Sequence, residues 1–313
     1  MARKVIMDVD TGTDDAVAIM FAALHPELDL LGVTTVNGNV PLTNTTDNTL
    51  RVLDWIGHLE IPVFAGLARP IARTGFPASQ HFESDGDDDP HGSALDIPAP
   101  HSKAQDRGAV EYLIDTLRTE DEPITLVAVG PLSNIATALA LDPALTGRVE
   151  EIVIMGGGHT STNVTASAEF NIWADPEAAA MVFAAGFPRL TLVTLDATHR
   201  AVITRDACRK LDALGSPAGT AAARFIDRRI DAYAGTGVDG AAPVHDVVCT
   251  AYLVQPNVVT TRSVPVAVET TGPLTVGRTV LDTRSDTAAV RNAHVALNAD
   301  PTILTALLTK TFA

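Results

Sequence analysis

The sequence predicts an α/β fold, an open and mainly parallel sheet with helices on both faces and a small antiparallel section near the C-terminus. Three observations predict it. Short apolar runs alternate with helical patterns through the first two thirds of the chain. These runs contain few polar residues, as strands buried on both faces do. Residues 258–290 instead alternate between apolar and polar types and contain a Gly-Pro turn, which is typical of antiparallel strands.

The elements follow one another in a regular order. The predicted strands cover residues 5–9, 28–36, 62–65, 124–129, 152–155 and 190–195. The predicted helices cover residues 14–24, 44–57, 132–141, 175–185, 204–214 and 219–233, and a further helix begins near residue 245. We find neither a linker nor an internal repeat in the sequence, so we expect a single domain over residues 1–313.

Residues 66–107 depart from this order. The stretch is rich in Pro, Gly, Ser and Asp and is too long for an ordinary connection. Asp85, Asp87 and Asp89 resemble the start of a calcium loop, but Pro90 takes the sixth position, where such a loop needs Gly. We therefore interpret the stretch as a solvated acidic flap.

Charge and composition narrow the classes of function. The formal net charge is -16, which argues against nucleic acid or an anionic membrane surface as a partner. Cys208 and Cys249 are too few for a disulfide scaffold and indicate a reducing cytosol. The chain starts without a signal-peptide pattern, and no apolar run approaches the ~20 residues that span a bilayer. We expect a cytoplasmic protein that binds a cation or a neutral small molecule.

Four carboxylates lie within eight residues, where the first strand ends and the first helix begins: Asp8, Asp10, Asp14 and Asp15. Helix capping accounts for one of them but not for two at the end of an apolar strand, and together they would repel one another without a cation. Oxygen ligands without Cys or paired His favour Ca²⁺ or Mg²⁺ over zinc, and a spacious irregular loop favours Ca²⁺.

Other polar and glycine-rich segments also follow predicted strands: residues 37–39, 129–131, 155–158 and Asp196. Ligands of open parallel sheets bind at the carboxyl ends of the strands. We therefore expect these segments to surround the aspartates.

Two functions each fit part of this pattern of carboxylates. A phosphatase of the haloacid dehalogenase type also begins with a strand and DxD, with Asp8 as nucleophile and Asp10 as acid/base. Gly12 stands where that class has Thr or Val, and Asp14 and Asp15 replace an expected apolar pair. A calcium- or sugar-binding module would keep the carboxylates but would need no general base.

The joint set of motifs resembles the nucleoside hydrolase family, also called inosine-uridine preferring nucleoside hydrolases. The family opens with DxDxGxDDA, and residues 8–16 read DVDTGTDDA. The similarity covers most of the chain in the right order, through GN at 38–39, HG at 91–92, VGPLSNIA at 129–136, MGGG at 155–158, AEFNIWADPEAA at 168–179 and PVHDVV at 243–248.

The resemblance implies a role for each matching residue. Ca²⁺ would be bound by Asp10, Asp15 and Asp246 and by the backbone carbonyl of Val129, with Asp8 supporting them. The residues implied at the ribose are Asp14, Asn39, Met155, Asn163, Glu169, Phe170 and Asn171. The histidines implied near the base are His91 and His245. The family continues HG with a Glu-Ser-Gly-Leu-like run, whereas residues 93–96 read SALD, so the role of His91 stays open.

Arg229 and Tyr233 lie one helical turn apart and could reach the base from the far wall, although a solvated Arg and a core Tyr would fit the sequence equally well.

The expected reaction is Ca²⁺-dependent hydrolysis of the N-glycosidic bond of ribonucleosides, with a metal-bound water as nucleophile and Asp10 as its general base. His245 or His91 would protonate the leaving base. We expect 2′-deoxynucleosides to be rejected, because polar groups built for the 2′-hydroxyl would be left unpaired. The resemblance further implies a homodimer or homotetramer that acts in nucleoside salvage or catabolism, and it does not distinguish purines from pyrimidines.

Overall fold

The structure is a computed structural model that describes residues 2–74, 94–234 and 239–313. Its strands are β1 (Arg3–Val9), β2 (Leu28–Thr35), β3 (Val63–Ala65), β4 (Ile124–Ala128), β5 (Val149–Met155), β6 (Leu190–Val193), β7 (Val202–Thr204), β8 (Ala241–Pro243), β9 (Val259–Val264), β10 (Val266–Val268), β11 (Thr279–Leu281) and β12 (Ala293–Ala299).

The α-helices are α1 (Thr13–Leu24), α2 (Leu42–Ile56), α3 (Ala109–Thr119), α4 (Ser133–Leu141), α5 (Phe170–Ala174), α6 (Pro176–Ala184), α7 (Leu195–Thr198), α8 (Arg205–Asp212), α9 (Pro217–Ala232), α10 (Val247–Val254) and α11 (Pro301–Thr311).

Eight strands form the main sheet, in the order β3-β2-β1-β4-β5-β6-β12-β9. Neighbouring strands are parallel from β3 through to β12, and the edge strand β9 pairs antiparallel with β12. Strands from the beginning and the end of the chain therefore belong to one sheet. Two further antiparallel pairs, β10 with β11 and β7 with β8, lie outside it.

The sheet is buried on both faces. Along β1, Val5, Met7 and Val9 belong to one hydrophobic cluster and Ile6 to another, as expected for side chains that alternate between the two faces. Helices α1, α9, α10 and α11 contribute to the first cluster, and α3, α4 and α6 to the second. The predicted α/β class, with a mainly parallel sheet between two helical layers, is confirmed.

The predicted strands and helices of the first two thirds are all present, with ends that shift by a few residues. The helix predicted at 204–214 is the shorter α8, because Val202–Thr204 forms β7 and pairs with β8. The antiparallel section predicted at 258–290 contains the pair of β10 and β11, but β9 joins the main sheet. Helices α3 and α11 and strand β12 were not predicted.

The described parts of the stretch 66–107 contain neither helix nor strand, as predicted. Asp85, Asp87, Asp89 and Pro90, in the stretch interpreted as a solvated acidic flap, lie outside the described residues, as does His91. Among the helices that the structure describes, none is both long enough and apolar enough to cross a membrane.

Candidate functional site

Three buried carboxylates from the two ends of the chain meet at the carboxyl edge of the sheet. Asp14 and Asp15 lie in the first turn of α1, and Asp246 directly precedes α10. One oxygen of each lies within 4.8 Å of one oxygen of each of the others. Asp10, which directly follows β1, is buried beside them and adds its negative charge to the cluster. We call these four residues the carboxylate cluster.

Asp10 is held by the segment that follows β2. Its Oδ2 accepts the backbone N–H of Asn39 at 2.7 Å, and the Asn39 side chain donates to the Asp10 carbonyl at 3.3 Å and to Asp15 Oδ2 at 3.2 Å. Among the described residues, none donates a hydrogen bond to the buried Oδ1 of Asp10. This oxygen is available to a ligand that the protein itself does not supply.

The position of the Asp10 side chain explains why residue 38, in the segment after β2, is a glycine. A Cβ on Gly38 would lie 2.0 Å from Oδ2 of Asp10, and a Cβ on Gly130 would lie 2.9 Å from Oδ1. The carboxylate occupies space that any larger residue at position 38 would take. The two glycines therefore fix where the Asp10 side chain lies.

Asp15 orders the loop that carries the cluster. Its carboxylate accepts the backbone N–H of Asp10 at 3.2 Å and that of Gly12, at the start of α1, at 2.9 Å. Burial, followed by the charge of Asp14, raises the pKa of Asp15 to about 7. Burial and the neighbouring carboxylates also hold the pKa of Asp10 and of Asp246 well above the usual range.

These features fit a hard divalent cation. The donors are all oxygen, they are buried, and their negative charges lie close enough to raise one another's pKa. A cation would supply the partner that Asp10 Oδ1 does not find among the described residues, and it would favour the ionised carboxylates. The arrangement suits Ca²⁺ or Mg²⁺ better than zinc, because neither Cys nor His belongs to the set.

Val129 follows β4 beside the cluster. Its N–H donates to the carbonyl of Asp8 at 2.9 Å, and its own carbonyl accepts Nδ2 of Asn171 at 2.8 Å. A backbone carbonyl has two lone pairs, so this contact leaves one for a cation.

Asp8 faces a different set of partners. Its Oδ1 accepts the Thr34 hydroxyl at 2.5 Å and Nδ2 of Asn134 at 2.8 Å, and burial raises its pKa to about 6. A phosphatase of the haloacid dehalogenase type would need this carboxylate as its nucleophile. Both donors bind Oδ1, whereas the buried Oδ2 accepts no hydrogen bond from the described residues, so these contacts alone do not decide the matter.

Five of the residues that were expected at the ribose form a connected layer around α5: Met155, Asn163, Glu169, Phe170 and Asn171. The Glu169 carboxylate accepts the backbone N–H of Gly157 at 2.7 Å and of Asn171 at 2.9 Å, and it caps α5. Asn163 accepts the N–H of Phe170 at 2.9 Å, and Asn171 donates to the carbonyl of Met155 at 3.2 Å.

Glu169 thus supports the backbone at the ends of β4 and β5 by way of Asn171 and Gly157. Its pKa is raised to about 7 by burial, although the backbone hydrogen bonds oppose the rise.

Arg229 is fully buried, so the solvated alternative for this residue is wrong. Its Nη1 lies 3.0 Å from Oδ1 of Asp14, in a buried ion pair. Its Nε donates to the carbonyl of Pro243 at 3.0 Å. Its guanidinium carbon lies 5.8 Å from the ring centre of Tyr233.

His245 contacts protein groups at both ring nitrogens. Nε2 lies 3.3 Å from the Tyr233 hydroxyl, and Nδ1 lies 2.7 Å from the hydroxyl of Thr198 in α7. The ring of His199 packs edge-on against that of His245, with centroids 5.7 Å apart. Thr198 and His199 were missed by the sequence analysis, although they closely follow Asp196, which was expected at this edge.

Asp196 itself binds a loop. Its carboxylate accepts the backbone N–H of His159 at 2.6 Å and of Thr160 at 3.0 Å, which holds the segment after the glycine triplet. The expectation that Asp196 lies at the carboxyl edge of the sheet is met, but its oxygens serve the loop.

Known proteins resemble this chain over nearly its whole length. A family model described as inosine-uridine preferring nucleoside hydrolase matches residues 5–305. The pyrimidine-specific ribonucleoside hydrolase RihB of Escherichia coli (strain SE11) is 40% identical over 299 residues, which cover 95% of this chain and 93% of that protein.

Solved structures agree with these matches. The purine-preferring ribonucleoside hydrolase from Gardnerella vaginalis is 32% identical, with a TM-score of 0.85 and coverage of 99% of this chain and 98% of that one. A plant nucleoside hydrolase is 29% identical, with a TM-score of 0.88 and coverage of 100% and 99%. The matches of the chain to known proteins do not favour the alternative of a phosphatase of the haloacid dehalogenase type.

Proposed function

Because the chain belongs to the inosine-uridine preferring nucleoside hydrolase family and is a nucleoside hydrolase, we propose that it cleaves the N-glycosidic bond of ribonucleosides with the help of Ca²⁺. The observation that carries the proposal is the meeting of Asp14, Asp15 and Asp246, with oxygens within 4.8 Å of one another, beside Oδ1 of Asp10, which accepts no hydrogen bond from the described residues.

The proposed ligands of Ca²⁺ are Asp10, Asp15, Asp246 and the carbonyl of Val129. Bound Ca²⁺ supplies a positive charge that orients water and ribose hydroxyls and lowers the pKa of that water. The convergence of these residues on the carboxyl edge of the sheet supports this set of ligands, as do the raised pKa values of the three carboxylates. Ca²⁺ is preferred to Mg²⁺ because it accepts about 6–8 oxygens in irregular geometry.

Asp10 is the proposed general base. Its Oδ2 is fixed by the N–H of Asn39, and Oδ1 has a second lone pair besides the one that a cation would take, so Oδ1 can receive the proton of the attacking water. Attack on the face opposite the base would invert the anomeric carbon. Asp14, Asn39 and Asn171 are proposed to bind the ribose hydroxyls, with Met155, Asn163, Glu169 and Phe170 around the sugar.

The leaving base needs a proton, and His245 is the proposed donor. It lies beside the cluster residue Asp246 and contacts Tyr233, so a proton could leave from the ring or from the Tyr233 hydroxyl. His91 stays a second candidate, outside the described residues.

Pyrimidine ribonucleosides are the proposed first choice of substrate. The relative at 40% identity is named pyrimidine-specific, whereas the structure at 32% identity is named purine-preferring.

We further propose a single domain, a homodimer or homotetramer, a cytoplasmic location and a role in nucleoside salvage. The sheet shared by both ends of the chain supports the single domain, and two free, buried cysteines fit a reducing compartment.

The test is a panel of uridine, cytidine, inosine, adenosine and their 2′-deoxy forms, assayed with Ca²⁺, with chelator, and with Ca²⁺ restored. We expect ribonucleosides to be cleaved only when Ca²⁺ is present and deoxynucleosides to react poorly. Asp10→Asn should cut turnover by about a thousandfold or more while circular dichroism stays unchanged. Full activity in chelator would rule out the proposed dependence on Ca²⁺. A fully active Asp10→Asn variant would rule out Asp10 as the general base.

A further inference from the structure

One buried cationic side chain of the protein, Arg229, lies against the carboxylate cluster. Among the residues that the structure describes, Arg229 is the only Arg or Lys that is buried. Such residues are almost never fully buried unless they are paired, because removing a charge from water is costly. The burial of Arg229 therefore indicates that its interaction with the cluster matters to the site.

Three contacts fix the position of the Arg229 guanidinium. Nε donates to the carbonyl of Pro243 at 3.0 Å, Nη1 lies 3.4 Å from the Thr13 hydroxyl, and Nη1 lies 3.0 Å from Oδ1 of Asp14. The side chains of Arg229 and Asp14 are only 3% and 6% exposed, so solvent screens their attraction weakly.

Asp14 has a second possible partner. One of its oxygens lies within 4.8 Å of oxygens of both Asp15 and Asp246, which is close enough for all three to bind the same ion. A cation held by Asp15 and Asp246 would attract Asp14 too. An ion pair with Arg229 opposes that attraction, because the buried guanidinium competes with the cation for the Asp14 carboxylate.

We propose that Arg229 is a positioning residue that restrains Asp14 from joining the ligands of the cation and keeps its carboxylate directed at the ribose hydroxyls. This inference rests on the proposed function. One consequence is that Arg229 weakens the binding of Ca²⁺ while it strengthens the binding of nucleoside. The Arg229 charge acts beyond Asp14 as well, since it opposes the rise that burial and the other carboxylates cause in the pKa of Asp246.

The test uses the full chain and two separate measurements at pH 8. Calorimetry of the chelator-treated protein gives the Kd for Ca²⁺ without substrate, and steady-state kinetics at saturating Ca²⁺ gives KM and kcat for uridine. For Arg229→Met we expect Ca²⁺ to bind about tenfold tighter and KM to rise about tenfold, since a nearby positive charge is lost.

Two further variants act as controls. Arg229→Lys keeps the charge and should stay within about threefold of the wild type in Kd for Ca²⁺. Arg205→Met also removes one positive charge, but from a partly exposed pair with Asp227 and Asp231 at the surface, and both constants should stay unchanged. If Arg229→Met does not fold, Arg229→Gln keeps a donor for Pro243 and carries the same expectation.

The proposal predicts tighter binding of Ca²⁺ and a higher KM for uridine in the same variant. A site that was merely disordered by the substitution would instead bind both ligands more weakly. Weaker or unchanged Ca²⁺ binding in the Met and Gln variants would overturn the inference, as would a Lys variant that behaves like Met. If the wild type neither bound Ca²⁺ nor cleaved uridine, the proposed function itself would fail. A wild type that does both, together with variants of the wrong sign, would overturn the inference about Arg229 alone.

Discussion

The hydroxyl of Thr198 lies 2.7 Å from Nδ1 of His245. The other nitrogen of the same ring lies 3.3 Å from the Tyr233 hydroxyl, so the imidazole is held at both ends. A ring that is held in this way keeps one orientation, which a proton donor to a leaving group requires.

Removing the Thr198 hydroxyl should impair this orientation. We expect Thr198→Val, which keeps the shape of the side chain, to lower kcat for uridine about tenfold with little change in KM, because Nδ1 loses its buried partner. Thr198→Ser keeps the hydroxyl and should retain most of the activity. Steady-state kinetics checks both variants, and an unchanged kcat in Thr198→Val would contradict the role.

Gly38→Ala should displace the Asp10 carboxylate, because the added Cβ would lie 2.0 Å from Oδ2. We expect kcat/KM to fall about a hundredfold or more, since small misplacements of a catalytic group have large effects on rate. Gly147→Ala is the matched control, because a Cβ at that position meets nothing within 4 Å. Equal activity of the two variants would show that the close approach at Gly38 is unimportant.

The metal-free protein should become more stable as the pH falls from about 7 towards 4.5. The folded state raises the pKa of Glu169 to about 7 from its ordinary value of 4.5, so the folded state binds the proton first and is stabilised within that window. The contribution is at most about 1.4 kcal/mol per pH unit and is lost again as the pH rises through 7.

Urea unfolding in chelator at several pH values checks this direction. Glu169→Gln should show a shallower dependence between pH 4.5 and 7, because the titrating group is absent. An equally steep dependence in the variant would assign the effect to other buried carboxylates. Stability that instead increased with pH through this window would contradict the prediction.

A second network of charges lies at the amino end of the parallel strands and should affect stability without affecting catalysis. The buried Glu151 accepts Nη2 of Arg3 at 3.2 Å, Nε of Arg189 at 2.9 Å and the hydroxyls of Thr191 at 2.7 Å and Tyr252 at 3.0 Å. We expect Glu151→Ala to lower the free energy of unfolding by about 2–4 kcal/mol, because these donors lose a common acceptor.

The kinetic constants of the folded Glu151→Ala variant for uridine should match those of the wild type. Denaturant unfolding and kinetics at low temperature measure the two effects separately. A large loss of kcat in a sample shown to be folded would mean that this network also influences the catalytic edge.

Much of the fold could be predicted from local patterns, because the buried strands of a parallel sheet are near-continuous apolar runs, as in residues 124–129. The local pattern failed where its signal was weak. Strand β12 (AHVALNA) has His and Asn among its apolar residues, and its place between β6 and β9 depends on pairing with distant strands.

The site, like the fold, was predictable where its residues lie close together in sequence. The aspartates near the N-terminus form a local motif, and the joint motifs pointed to the family. The ion pair of Arg229 with Asp14 and the contact of Thr198 with His245 each join residues far apart in sequence, so neither can be found from spacing along one helix or strand. The individual roles of the site residues, and a single domain over residues 1–313, stay predictions.

The position of Asp246 has a consequence for biosynthesis. Asp10, Asp14 and Asp15 leave the ribosome well before Asp246 and before β12, which pairs with β6 and β9 in the main sheet. A nascent chain that has not reached α10 lacks a cluster residue and part of the sheet, so its unmatched carboxylates stay exposed to water. Binding of the proposed Ca²⁺ would thus require that the chain has been synthesised through α10, and a fragment that ends before α10 should not gain thermal stability from added calcium.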